Sequence, residues 1–281
     1  MPEGDTIFRS ARALHRVLAG STVTGFETAY AQLASVDDDA PVSGRLIEKV
    51  ESRGKWLLIF FSGDLILLTH MLMSGSWHFY RRGERWQKSR SRMRIVIQTE
   101  NYEAVAFDVP VAQFHNARSL ARHPSLSKLG PDLAGGNFER EDARARLLSQ
   151  THEEVGNALL DQRVIAGIGN VFKSEICFVC GINPFRPVRS LSGAEIDTLL
   201  DASHRLMQAN VQEHAPGGIV TYTGPRRTTR ANDPAARLWV YRRAGQECRR
   251  CGAAVLMRKQ GTSARSTYWC PECQPKDPRY R

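Results

Sequence analysis

Apolar residues recur at spacings of three and four through Ile7, Ala11, Leu14 and Leu18, which predicts a helix over residues 6–19. Asp5 or Thr6 can cap its start. The pattern then shortens to strand-sized runs. Residues 47–50 and 56–61, joined by a turn at 52–55 that contains Gly54, predict a hairpin. Further strands are expected at 65–69, 94–98 and 104–107, each bounded by Gly, Ser, Asn or Pro. Leu129-Gly130-Pro131-Asp132 and then Gly135-Gly136-Asn137 break the pattern. Beyond them the period turns helical, over 140–148, 154–160, 171–180 and 194–210. Residues 215–237 read as loop, and a compact cysteine-containing tail follows. The layout is a β-rich N-terminal part, a helical middle and a small metal module.

The longest apolar runs, at 56–61 and 65–68, are far too short to span a bilayer. The start, Pro2-Glu3-Gly4-Asp5, lacks the basic and apolar regions of a signal peptide. A soluble, cytoplasmic protein is expected, nucleoid-associated if bacterial, and monomeric. The net charge of +10 is unevenly placed. Residues 1–225 are neutral, with 25 basic and 25 acidic side chains, whereas residues 226–281 hold 14 basic against 4 acidic. A second concentration runs through Arg81, Arg82, Arg85, Lys88, Arg90, Arg92 and Arg94, opposed locally by Glu84. Concentrated positive charge suits a polyanionic partner, of which nucleic acid is the commonest, although a solvated basic face has the same composition.

Cys248-x2-Cys251, eighteen residues, then Cys270-x2-Cys273 has four-thiolate zinc spacing. Four protein ligands close the coordination sphere, so one structural Zn²⁺ is expected, with no open position to activate water. Arg258, Lys259, Gly261, Thr262, Ser263 and Arg265 lie between the pairs, at what is expected to be a hairpin tip suited to a DNA groove. Cys177-x2-Cys180 lies in an apolar helical segment and reads as core thiols.

Removal of Met1, usual before a small residue, would expose Pro2 as a secondary amine. An α-amino group has a pKa of about 7.7–8.0, so part of it is nucleophilic at neutral pH. Attack at a sugar C1′ with departure of the base would leave an iminium that cannot lose a proton from nitrogen. That charge acidifies the C2′ hydrogen and prepares strand cleavage by elimination. Glu3 beside it is a candidate general acid or base.

Met-Pro-Glu-Gly-Asp-Thr-Ile at the start resembles the opening of the formamidopyrimidine-DNA glycosylase/endonuclease VIII family, especially its endonuclease VIII branch. Arg53-Gly54-Lys55 looks like that family's lysine-bearing hairpin, and Leu129-Gly130-Pro131-Asp132 like its interdomain junction. Leu160-Asp161-Gln162-Arg163-Val164-Ile165-Ala166-Gly167-Ile168-Gly169-Asn170 is similar to its helix–two-turn–helix element, and residues 248–273 to its zinc finger. The blocks run in order along essentially the whole chain. The resemblance implies an α+β fold: an N-terminal β-sandwich domain led by a catalytic helix (2–130), a helical helix–two-turn–helix domain (131–237), a zinc-finger hairpin (238–274) and a tail (275–281). It implies Pro2 as the Schiff-base nucleophile, Glu3 as the acid that assists sugar opening, and Lys55 as a phosphate contact assisting elimination. Asn170 and Lys128 would bind phosphate, and Arg265 would hold the phosphates flanking the lesion and assist δ-elimination. Glu175 falls at a family acidic position in the helical domain, with a surface or helix-capping role as the alternative.

Two places depart from the family. His70-x2-Met73-Ser74-Gly75 replaces the glutamine-containing triplet usual in endonuclease VIII proteins and looks more like the purine-directed branch. Asp108-Val109-Pro110-Val111-Ala112-Gln113-Phe114 lacks the arginine of that branch's second wedge. Met73 is the candidate to fill the gap left by a flipped nucleotide, with Phe114 second, and a core methionine on a strand the alternative. The implied activity is glycosylase and AP lyase action on damaged double-stranded DNA running through a basic cleft, with oxidised pyrimidines favoured from Gly4-Asp5. The alternatives are a purine-directed enzyme or a non-catalytic zinc-containing DNA-binding protein.

Overall fold

The computed structural model describes residues 2–212, 219–222 and 237–276. Most of the expected loop at 215–237 and most of the tail at 275–281 lie outside them. The chain divides into two compact units, Met1–Lys128 and Leu129–Arg281.

The first unit opens with α1 (Gly4–Leu18), followed by β1 (Gly25–Thr28), α2 (Ala31–Asp39), β2 (Ile47–Arg53), β3 (Trp56–Phe61), β4 (Leu65–His70) and β5 (Ser76–Arg81). It closes with β6 (Met93–Gln98), β7 (Tyr102–Phe107), β8 (Val111–His115) and the short α3 (Ala117–Ala121). Two four-stranded antiparallel sheets form, in the orders β2-β3-β4-β8 and β1-β6-β7-β5. Alternate residues face inward. Leu57, Ile59 and Phe61 of β3 meet Ile95 and Ile97 of β6 and Ala104 and Ala106 of β7 in one core. The outward residues are also covered. Leu58 packs under Leu120 of α3, and Val96, Val105 and Phe107 form a cluster with Trp86. Burial on both faces explains why 56–61 is apolar without alternation. Ile7, Ala11, Leu14 and Leu18 of α1 join the same core as the predicted stripe.

The second unit holds α4 (Arg140–Ser149), α5 (Val155–Leu160), α6 (Asn170–Val179), α7 (Gly193–Val211) and a two-stranded antiparallel hairpin, β9 (Leu256–Gln260) with β10 (Arg265–Trp269). Leu129-Gly130-Pro131-Asp132 does more than interrupt the chain. The Gly130 amide donates to the Gln162 carbonyl and the Ala166 amide to the Pro131 carbonyl, both at 2.9 Å, so the segment lies along the turn between α5 and α6. A Cβ at Gly130 would sit 2.5 Å from the Val164 carbonyl oxygen, which is why glycine is required there. No described helix is long and apolar enough to cross a membrane.

Candidate active site and metal centre

Pro2 is half-buried and Glu3 fully buried immediately before α1. Their position follows from how α1 is laid on the sheet. The Gly20 amide donates to the Ile47 carbonyl at 2.8 Å, and the Val50 amide donates to His15 Nδ1 at 3.1 Å. The helix therefore runs antiparallel to β2. From His15 back to Glu3 is about 18 Å of helix, and from Val50 on to Lys55 is about 16 Å of strand. Both arrive at the same end of the sandwich. Asp5, in the first turn of α1, is buried and paired with Arg9 Nη2 at 3.0 Å. Burial raises its carboxyl pKa, with Arg9 opposing the shift.

Lys55 lies in the β2–β3 turn, where Gly54 takes φ +58°. Trp56 pairs in register with His70, the last residue of β4, so the turn after β4 emerges beside Lys55. His70 Nδ1 accepts the Leu72 amide at 3.1 Å, and the ring packs edge-on to Trp56. Burial and the charge of Lys55 lower the His70 pKa to about 4. Met73 stands in this turn with 62% of its surface exposed, beside Leu72 at 48%. It is thus neither on a strand nor in the core, which removes the core-methionine alternative. The turn is the crossing from one sheet to the other, and Leu72 holds φ +46° in it. Phe114 is different: it is half-buried against the sandwich core, with its ring 5.7 Å from that of Phe26, and is not available as a wedge. The first unit thus brings Pro2, Glu3, Lys55 and Met73 to one end. Lys128 is exposed in the turn that closes the unit.

The basic run at 81–94 corrects an expectation. Along the sequence it is opposed by Glu84, but folding brings further acids to it. Arg90 pairs with Glu27 at 2.7 Å and Arg92 with Asp108 at 2.6 Å, and Lys88 lies 3.8 Å from Asp108. The Arg92 hydrogen bond holds the Asp108 carboxyl below its usual range. Arg82 and Arg94 donate to backbone carbonyls. Arg90, Arg92 and Lys88 thus face acids of the same unit, so the sequence run overstates what faces a polyanion.

In the second unit Asn170 is the first residue of α6, and its approach is shaped by glycines, with Gly167 at φ +101°. Gln162, whose role carries no signal along the chain, staples this turn: its side chain accepts the Gly167 amide at 3.0 Å and donates to the Ile168 carbonyl at 2.9 Å. Asn170 Nδ2 donates to the Ser266 carbonyl at 2.7 Å, while its buried Oδ1 has no hydrogen-bond partner among the described residues. Arg265 is exposed at the start of β10. The hairpin tip is the turn 261–264. Arg258, Lys259 and Arg265, expected at the tip, are on the strands.

Glu175 also departs from expectation. It is fully buried and accepts the amides of Trp239, Val240 and Tyr241 at 2.8–2.9 Å and the Thr221 hydroxyl. Its helix reads as apolar, and a buried carboxylate there is legible only once its amide partners, 64 or more residues away, are known.

The Sγ atoms of Cys248, Cys251, Cys270 and Cys273 all lie within 4.8 Å of one another. The Cys248–Cys273 and Cys251–Cys270 separations are 3.8 and 3.5 Å. A tetrahedron with Zn–S bonds of about 2.3 Å has edges of about 3.8 Å, so the four sulfurs fit zinc. Amides of Arg250 and Cys273 point at Cys248 and Cys270 sulfurs at 3.4 and 3.5 Å, as around thiolates. Cys177 is buried in α6, and Cys180 is half-buried just past its end, with burial pushing its thiol up to about 12. Both belong to the packing and not to the metal cluster.

Known proteins are similar to this chain in sequence and in fold. The formamidopyrimidine-DNA glycosylase N-terminal domain matches residues 1–122, and the formamidopyrimidine-DNA glycosylase H2TH domain matches residues 129–221. A probable endonuclease 8 2 of Streptomyces coelicolor is 37% identical over 279 residues, covering 98% of this chain and 94% of its own. A DNA-(apurinic or apyrimidinic site) lyase of Mycolicibacterium smegmatis is 35% identical over 274 residues, covering 98% and 99%. Among solved structures, the Lactococcus lactis formamidopyrimidine-DNA glycosylase bound to DNA with an abasic site superposes with a TM-score of 0.80. It covers 98% of this chain and 100% of its own at 21% identity, a likeness of fold. With both domains matched in order and relatives similar over nearly the full length, the chain belongs to the formamidopyrimidine-DNA glycosylase/endonuclease VIII family.

Proposed function

We propose that the protein is a bifunctional DNA glycosylase and AP lyase of base-excision repair, acting on oxidised bases, pyrimidines foremost, in double-stranded DNA. The observation that carries this reading is the convergence of the buried Glu3, the Pro2 nitrogen and Lys55 at one end of the first unit. The relatives' names, endonuclease 8 and abasic-site lyase, support the reaction class and the pyrimidine preference. The target nucleotide leaves the stack because its glycosidic carbon is inaccessible inside it, at a cost of a few kcal/mol. Met73, apolar and exposed on a turn of fixed geometry, fills the space left behind.

The Pro2 amine attacks C1′. The glycosidic bond breaks, and the base departs with its electron pair and takes up a proton. Glu3 supplies a proton to the ring oxygen as the sugar opens. Loss of the C2′ proton expels the 3′ phosphate, with Lys55 holding the phosphate. A second elimination, assisted by Arg265, expels the 5′ phosphate. Asn170 and Lys128 hold the backbone. Cys248, Cys251, Cys270 and Cys273 would hold one Zn²⁺, whose part would be structural, since four thiolate ligands would leave no position open to water. Borohydride trapping on an abasic duplex tests the reading. Protein that begins at Pro2 is expected to form a covalent adduct, and protein retaining Met1, whose Pro2 nitrogen is in a peptide bond, is expected to bind without trapping. Full-rate trapping with Met1 quantitatively retained would move the nucleophile elsewhere. A set of single-lesion duplexes separates pyrimidine from purine preference.

A further inference from the structure

Helix α6 carries Asn170, Lys173, Ser174 and Glu175, and all four are buried. Buried polar groups are costly unless hydrogen-bonded. Partners of three of them are consecutive residues of β10. Asn170 donates to the Ser266 carbonyl at 2.7 Å, Lys173 Nζ donates to Thr267 Oγ1 at 2.6 Å, and the Tyr268 amide donates to Ser174 Oγ at 3.4 Å. The residue just before this run is Arg265.

The Lys173 contact is directional and continues. Thr267 Oγ1 accepts from the amine and gives its own proton to Gln260 Oε1 at 2.7 Å. Gln260 Nε2 then donates to Glu154 Oε2 and to the Pro184 carbonyl, both at 2.8 Å. Gln260 is the cross-strand partner of Arg265, and Thr267 is its next neighbour on the same face of β10. The cross-strand and same-face neighbours of Arg265 therefore belong to one chain of hydrogen bonds that includes Lys173. We propose that Lys173 is a positioning residue for Arg265, fixing β10 so that the guanidinium meets the 5′ phosphate in the second elimination. The proposal rests on the lyase reading above and adds a residue to it. Lys173 does not touch the DNA; it acts through Thr267, Gln260 and the backbone they hold.

The test uses full-length, zinc-loaded protein on an end-labelled abasic duplex and reads two quantities, borohydride trapping and the ratio of δ- to β-elimination product. Lys173→Met keeps the aliphatic stem but not the donor, and Thr267→Val removes the hydroxyl without removing Lys173. Each is expected to lower the δ-to-β ratio about tenfold, since small misplacements of catalytic groups carry penalties of that order or larger. Trapping should stay within about twofold of the wild type, because Pro2 and Lys55 are in the other unit. In an Arg265→Ala background neither change should lower the ratio further, the signature of residues acting through one another. An unchanged ratio in both single variants, an equal loss of trapping and δ product, or an undiminished effect without Arg265 would overturn the proposal. Should Lys173→Met not fold, Thr267→Val alone decides by the same criteria. Wild-type protein that fails to trap at all would instead overturn the lyase reading.

Discussion

His70 shows how much chemistry one side chain can gather. Along the chain it only marks the place of Met73, but its own role depends on three neighbours that folding supplies. Trp56 packs against the ring in a T-shaped contact, Lys55 brings a positive charge, and the Leu72 amide occupies Nδ1. Burial and charge both disfavour the cation and lower its pKa from 6.5 to about 4. The folded state therefore binds this proton more weakly than the unfolded chain. Its contribution to stability is complete above about 6.5 and is lost as pH falls toward about 4. A proton on Nδ1 would also break the bond to Leu72 and release the turn that presents Met73. The urea midpoint is expected to fall across that window, and His70→Gln to fall less steeply. Equal slopes would show that His70 is not responsible. The four cysteines were readable because their spacing is local, and Pro2 and Glu3 stood out through the resemblance of the chain's opening. Asp5, Gln162, Lys173 and Glu175 were not, because each acquires its meaning from a partner or from burial.

At the level of elements, legibility followed periodicity. The stripe Ile7, Ala11, Leu14, Leu18 and the run at 56–61 became α1 and β3 nearly as expected. The strands β1, β5 and β8 and the helix α2 went unread. Strand β1 has four residues, and α2 buries Leu33 alone, so neither offers a period to detect. Strand β5 has an irregular burial pattern, and β8 follows a proline and carries one fully buried residue. Gly75 lies where β4 gives way to β5. A Cβ there would meet the Met71 carbonyl oxygen at 2.6 Å and the Val109 Cα at 3.0 Å, both backbone atoms that cannot swing aside. Gly75→Ala is expected to cost about 1–3 kcal/mol by overpacking and to slow release of the base more than it weakens binding of an abasic duplex. A stability change within 0.5 kcal/mol, the range of a neutral surface substitution, would show that the corner has room.

At the scale of the molecule, net charge is legible along the chain but its availability is not. The excess of basic residues beyond 226 was visible, whereas the pairing of the run at 81–94 with Glu27 and Asp108 was not, since those acids are distant in sequence. The two groups should therefore behave differently toward DNA. Each phosphate contact displaces counterions, so Lys128→Ala and Arg265→Ala are expected to reduce the slope of log affinity against log salt by about one. Arg90→Ala and Arg92→Ala should leave it nearly unchanged, because those guanidinia are already neutralised. A titration in which all four variants flatten the slope alike would show that the pairing yields to DNA.

The buried carboxylate of Glu175 has a consequence for how the second unit opens. It holds three successive amides at 239–241, and the same helix holds β10 through Asn170, Lys173 and Ser174. Segments tied to one helix cannot come apart independently, so α6, residues 239–241 and β10 should exchange their amide hydrogens with deuterium as one cooperative block. Glu175→Gln, which turns an amide donor toward three amide donors, should raise the exchange rate of the whole block together, while the turn at 261–264, already exposed, keeps its own faster rate. Acceleration confined to 239–241 would show that the block is two.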